Sequence, residues 1–223
     1  PTTTSPTTTT PITPVKFQVA KSDEPRITSP NVSDSQLSAL VTGNNIFAFN
    51  LYQTLKTKEI ATTGNMFFSP YSISTALAMT YAGAAGDTEK QMSNTLHFTL
   101  PQAQLHLAFN ELALQLASRG QGAKGTKGES FSLNIANALW EQQGYSIQPA
   151  FLNTLAQNYS AGMNLVDFIN STEASRITIN DWVSGQTNNR INDLLPQGSI
   201  DSLTRFVLTN AIYFDAAWQD PFS

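Results

Sequence analysis
The sequence predicts an α+β fold in which a cluster of helices feeds a mixed sheet. Apolar residues recur at spacings of three and four through the first half of the chain, the period of one helical face. After Phe131 the pattern changes: Phe131, Leu133 and Ile135 alternate with polar residues towards Trp140, as in a strand with two distinct faces. Phe206 to Phe214 is then almost unbroken apolar sequence, the mark of a central strand covered on both faces. Runs of helix followed by strands and helices together, with no fixed-period repeat, give the α+β class.

The elements follow in order. Pro1 to Pro14 is nearly all Thr, Pro and Ser, has nothing to bury, and is expected to be disordered or extended. Polar character continues to Pro30, so residues 1–33 read as a disordered tail and 34–223 as the folded portion. Two readings fit the tail, a spacer behind a cleaved signal or lipid anchor and an O-glycosylated stalk, and both place the protein outside the cytoplasm. Phe47, Leu51 and Leu55 mark the first helix. Asn65 to Phe68 reads as a short buried strand. Ser69-Pro70 supplies an N-cap and a proline at the first helical position, where its missing N–H is harmless. Ile73, Ala76, Leu77 and Thr80 carry that helix forward, and Gly83 to Gly86 stops it. Thr88-x-x-Gln91 has the spacing of a capping box for the next helix. Leu105, Phe109, Leu112 and Leu116 define a fourth helix, and Gly120 to Gly128 an exposed loop. Gln148 to Tyr159 is expected to be helical and Met163 to Phe168 a strand. Ser171 can cap a helix carrying Ile179, Trp182 and Val183, with a loop at Pro196-Gln-Gly198 before the last strand.

Composition bounds the function. The 223 residues are 40% hydrophobic and 13% charged, enough for one sizeable core, and the net charge of −4 argues against broad binding to nucleic acid or anionic membrane. No apolar run is long enough to span a bilayer. No basic-then-apolar leader stands at Pro1, so the expectation is that a signal was removed or never existed. The absence of cysteine excludes disulfides, thiol nucleophiles and Cys-ligated zinc. His97 and His106 lack acidic or His neighbours at metal-binding spacing and are read as partly exposed surface imidazoles; no metal or other cofactor is expected. No nucleophile elbow, phosphate loop or acid–base pair is visible, so the chain is not read as an enzyme. Gly83-Ala-Ala-Gly86 lacks the preceding strand and glycine spacing of a nucleotide loop, and helix termination explains it.

Several blocks, in order, resemble one family. They are Asn45-Ile-Phe-Ala-Phe-Asn-Leu-Tyr52, Asn65-Met-Phe-Phe-Ser-Pro-Tyr-Ser-Ile-Ser74, Ala76-Leu-Ala-Met-Thr-Tyr-Ala-Gly-Ala84, Ile179-Asn-Asp-Trp-Val183, Ile191-Asn-Asp-Leu-Leu195, Leu208-Thr-Asn-Ala-Ile-Tyr-Phe214 and Trp218-Gln-Asp-Pro-Phe222. Their joint order and spacing, from Asn44 to the end, is similar to the N-terminal portion of a serpin, a conformationally driven protease inhibitor. The resemblance implies the serpin fold, a multi-domain arrangement of helical cluster and large mixed sheet A, incomplete at the C-terminus, with the reactive loop lying outside this chain. The implied partner of the complete protein is a serine, less often a cysteine, protease. A non-inhibitory carrier or chaperone on the same fold is the alternative.

The resemblance also implies which residues control sheet opening. Ser69, Ser72 and Asn210 match the polar group beneath the sheet, and their hydrogen bonds could break and re-form as strands part. Read without the family, Ser69 only caps its helix and Asn210 satisfies a local backbone group. Trp218 matches the tryptophan where the loop first enters. The Trp182 helix would lie across the sheet and yield during insertion; Gly185 within it costs about 1 kcal/mol of helix propensity relative to Ala. Gln102 to Ser118 holds no Lys or Arg, and Arg119, Lys124 and Lys127 come only at its end and beyond, which weighs against heparin activation by that helix. Asn31, Asn158 and Asn170 stand in glycosylation sequons.

Overall fold
The computed structural model describes residues 13–57, 65–122, 124 and 131–218. The first dozen positions of the predicted tail, most of the predicted loop after Gly120 and residues 219–223 lie outside these.

The described residues form six helices and four strands. After one short strand come four helices in succession: α1 (Asp34–Lys56), α2 (Pro70–Tyr81), α3 (Gly86–Leu96) and α4 (Gln102–Gly120). Ser33 opens α1 with a capping box, its side chain accepting from the Gln36 N–H while the Gln36 side chain accepts from the Ser33 N–H. Leu40 and Phe47 on α1 meet Tyr81, Leu96, Phe98, Leu105 and Phe109 in one buried cluster. Gly43 permits the close approach of α1 to the end of α3, since a Cβ there would lie 2.2 Å from the His97 carbonyl oxygen.

The sheet is built from β1 (Gln18–Ala20), β2 (Ser132–Gln142), β3 (Met163–Val166) and β4 (Phe206–Asp215), in the order β1-β3-β2-β4. α5 (Pro149–Tyr159) is the crossover between the parallel strands β2 and β3, and α6 (Thr172–Gln186) leads from β3 towards β4. Alternation along β2 divides its side chains between two layers. Ala136, Ala138 and Trp140 face α6, with Ile179 and Val183 packed against them, while Leu139 packs towards Met79 of α2 and Leu155 of α5.

Several expectations change. Residues 13–33 are not all a disordered tail, because β1 pairs with the edge of β3 and the stretch before it straps α6. The Val15 N–H donates to Thr178 Oγ1 (2.9 Å), which donates back to the Val15 carbonyl (3.1 Å), and Phe17 sits edge-on to Trp140 at 5.1 Å. Asn65 to Phe68 is not a buried strand: no described strand pairs with it, and Phe67 is 77% exposed. Thr88 lies inside α3 rather than capping it, and the N-cap, Ala85, has no side-chain hydrogen bond. Ser171 is the N-cap of α6 but its hydroxyl makes no cap bond. β4 has one described neighbour, β2, and it is not covered on both faces along its whole length, since Phe206 and Phe214 at its ends are exposed.

Candidate functional site
The start of α2 lies beneath the β2–β4 seam. Ser69 is extended (φ −112°, ψ 103°) and accepts from the Ser72 N–H at 3.2 Å, and Pro70 follows in the first turn, as its sequence position predicts. One turn of small residues then lets the helix approach the sheet closely. Ser72 and Ser74 are fully buried there, with Ala76 and Ala78 beyond them.

Three side chains meet at this point. Asn137 of β2 and Asn210 of β4 stand directly opposite one another across the two strands. The Asn210 amide donates to Ser72 Oγ and to Asn137 Oδ1, each at 2.5 Å, and Asn137 Nδ2 donates to the Ser72 backbone carbonyl at 3.3 Å. α2 is thereby tied to both strands at once. Ser69 joins only through the backbone of Ser72. Ser74 Oγ is buried nearby without a hydrogen-bond partner among the described residues.

The network is neutral throughout. It contains no nucleophile–base pair, and among the described residues no group of three His, Asp or Glu side chains is placed to hold a metal. Its members can exchange hydrogen bonds worth about 1 kcal/mol net each, which suits a latch between packed elements.

Asn137 was not singled out by its sequence. The signal is present, since it falls on the face that also carries Leu133, Ile135 and Leu139, where a polar residue needs a partner. Trp140 adds a second bond between the same strands: its Nε1 donates to Thr209 Oγ1 of β4 at 3.1 Å, and its ring meets Trp182 edge-on. The Ile191 to Leu195 block is fastened to α6. Arg176 pairs with Glu173 and Asp193 and donates to the Leu195 carbonyl, while the Asn180 amide donates to that carbonyl and its oxygen accepts the Leu195 N–H.

The remaining predicted residues are dispersed. Trp218 is 70% exposed beyond the end of β4. Asn31 and Asn170 are exposed, as a glycan requires. Asn158 is only 7% exposed and its amide donates to the Thr154 carbonyl, so a glycan on it is incompatible with this packing. His106 is a further correction. It is buried rather than on the surface, because α4 turns it towards Tyr159, whose hydroxyl lies 2.7 Å from Nδ1.

The comparisons with known proteins agree with this architecture. The family model described as Serpin (serine protease inhibitor) matches residues 42–223. Leukocyte elastase inhibitor A of Mus musculus is 40% identical over 186 residues, 83% of this chain and 46% of that protein. An uncharacterized serpin-like protein of Methanosarcina acetivorans is 34% identical over 208 residues, 93% of this chain and again 46% of the relative. The chain therefore spans about half the length of the curated relatives it matches. Ovalbumin from emu (Dromaius novaehollandiae) superposes with a TM-score of 0.70 at 27% identity, over 83% of this chain and 49% of the ovalbumin chain. With the helical cluster, the mixed sheet and the matched residues all in agreement, this chain belongs to the serpin family.

Proposed function
We propose that the protein is a serine protease inhibitor of the conformational, loop-inserting type, and that this chain is the part holding the sheet and its latch. It acts once per target through a change of fold, so no catalytic residue is assigned. The observation that carries the reading is the Asn210 amide bonded to Ser72 and Asn137 together. In this reading Ser69, Ser72 and Asn210, with Asn137, form the opening point. Trp218 stands where an entering loop first meets the sheet.

The mechanism follows from the seam. β4 has one described neighbour, so backbone donors and acceptors along its other edge can take an extended segment as a new strand. Seating that segment shifts β4 and β2 relative to α2, and the hydrogen bonds at Ser72 must break and re-form. Three neutral bonds resist the shift by a few kcal/mol at most. That is small against the gain from adding a buried strand, yet sufficient to hold the closed state until a loop is cut. The relatives named as leukocyte elastase inhibitors support a serine protease as the target.

The test is incubation of the full-length protein with a panel of serine proteases. A slow, stoichiometric, denaturant-resistant covalent complex is the expected product. Cleavage without any complex would refute inhibition and favour a carrier or chaperone on the same fold. That second reading is supported by the likeness to ovalbumin.

The Thr/Pro/Ser-rich N-terminus supports placing the protein outside the cell, and no described helix is long and apolar enough to cross a membrane. Recovery of the native protein from the extracellular fraction is expected. Recovery only with cytoplasmic markers would remove that placement.

A further inference from the structure
α6 lies across the sheet on a thin footing. Beneath it β2 and β4 present Ala136, Ala138 and Ala211, whose small side chains give Ile179 and Val183 little surface to grip; only Trp140 is large. Much of the hold is therefore lateral, and the helical repeat divides it between two flanks. Arg176 and Asn180 stand on one flank, fastened to Asp193 and Leu195. Thr178 stands on the opposite flank, and there the partner is the stretch that precedes β1.

That stretch joins α6 to the far side of the sheet. The Val15 N–H donates to Thr178 Oγ1 at 2.9 Å. The single Thr178 proton has two acceptors in reach, the Val15 carbonyl at 3.1 Å and the Ala174 carbonyl at 2.8 Å. Phe17 stands edge-on to Trp140 at 5.1 Å, and Trp182 of α6 stands edge-on to the same ring at 5.8 Å. Gln18 to Ala20 then pair with β3, on the side of the sheet away from β4. Gly162 belongs to the same fit, since a Cβ there would lie 2.7 Å from the Ala20 carbonyl oxygen.

Admitting a strand beside β4 shifts β4 and β2 beneath α6, and a helix tied to β3 cannot follow them freely. We infer that residues 15–20 are a clamp that ties α6 to the β3 edge and so sets how fast the sheet takes up a new strand. The inference rests on the loop-inserting reading of the function. It adds a control point on the opposite side of the sheet from β4, separate from the Ser72–Asn210 latch.

The test uses the full-length protein and a fluorescent synthetic peptide copying the part of its loop that precedes the bond its target protease cuts. Wild type should take up the peptide slowly, as a urea-resistant complex on gels. Thr178→Val keeps the shape of the side chain and removes the hydroxyl, and Phe17→Ala removes the ring. Each should speed uptake at least about fivefold, the factor that one net hydrogen bond implies, and should speed amide exchange in α6 by a similar factor. Should Phe17→Ala melt early, Thr178→Val still decides the matter. Leu40→Ala, in the helical cluster away from α6, controls for plain loss of stability and should leave uptake unchanged. Uptake at the wild-type rate in both clamp variants would overturn the inference while leaving the loop-inserting reading intact. Equal acceleration by Leu40→Ala would overturn it as well, by reducing the clamp to a source of stability. No uptake by wild type would refute the loop-inserting reading and the clamp with it.

Discussion

Replacing His106 by glutamine should change how the stability of this protein depends on pH. His106 is 3% exposed, its Nδ1 meets the Tyr159 hydroxyl, and its Nε2 has no hydrogen-bond partner among the described residues. The Tyr81 ring lies 6.3 Å away between centroids. Among the described residues His106 has no ion-pair partner, and burial lowers the histidine pKa from 6.5 to about 4. Burial also pushes the Tyr159 hydroxyl well above its usual value, so it stays protonated over this range. In the unfolded chain the imidazole returns to about 6.5. Above that pH it is neutral in both states and contributes no pH dependence. As the pH falls from about 6.5 to about 4, the unfolded chain takes up a proton that the folded chain refuses, and stability is lost. The slope approaches about 1.4 kcal/mol per pH unit, so about 2 kcal/mol disappears by pH 5 and about 3 kcal/mol by pH 4. Against a typical domain stability of about 5–15 kcal/mol, that is a large fraction. Urea melts of wild type and His106→Gln across this interval are the assay, since the carboxylates titrate alike in both proteins. The stability difference between them should be flat above about pH 6.5 and shift by about 2 kcal/mol in favour of the variant by about pH 5. Parallel curves, or an NMR titration placing the folded His106 pKa near 6.5, would refute the reasoning.

Three further outcomes follow from the packing. Gly185→Ala should raise stability by up to about 1 kcal/mol in a thermal or urea melt, because a Cβ there meets nothing within 4 Å and the helix gains propensity; a loss would show that α6 depends on glycine at that position. Phe17→Ala should cost about 1–3 kcal/mol and speed amide exchange in α6, because Phe17 is half-buried against Trp140 and helps to strap the helix; unchanged exchange in α6 would remove the strap. The 223-residue chain should associate with increasing concentration in sizing chromatography, because β4 presents an edge with no described partner. A monodisperse, cooperatively unfolding monomer would contradict that expectation.

What was legible in the sequence was mostly local. Ser69-Pro70 announces α2 because capping is decided by two adjacent residues, and the Phe47-Leu51 spacing announces α1 because a helix face is periodic. The strand β1 was not legible. Gln18-Val19-Ala20 carries no pattern of its own and becomes a strand only because the β3 edge lies beside it, with Gly162 bare enough for the Ala20 carbonyl to approach. His106 follows the same logic. Its burial depends on Tyr159, more than fifty positions away, and nothing in the local α4 sequence records that contact. Of the latch residues, Ser69, Ser72 and Asn210 came from family resemblance, whereas local chemistry alone offered Ser69 as a cap. Asn137 needed the β2–β4 register, a long-range pairing that only the folded chain displays. The Phe206 to Phe214 run was read as covered on both faces because composition reports how apolar a strand is, and not how many neighbours it has.

Whether α2 and the β2–β4 seam act as one latch is measured directly by a double-mutant cycle between Ser72 and Asn210. Ser72→Ala removes the hydroxyl that accepts from Asn210, while Asn210→Ala removes the amide that bonds both Ser72 and Asn137. Urea unfolding of wild type, both single variants and the double variant gives the coupling energy without reference to any protease. A latch predicts that the second substitution costs less once the first is made, with a coupling of about 1 kcal/mol or more. Additive effects, agreeing within about 0.3 kcal/mol, would mean that the two side chains do not act together and would contradict the claim.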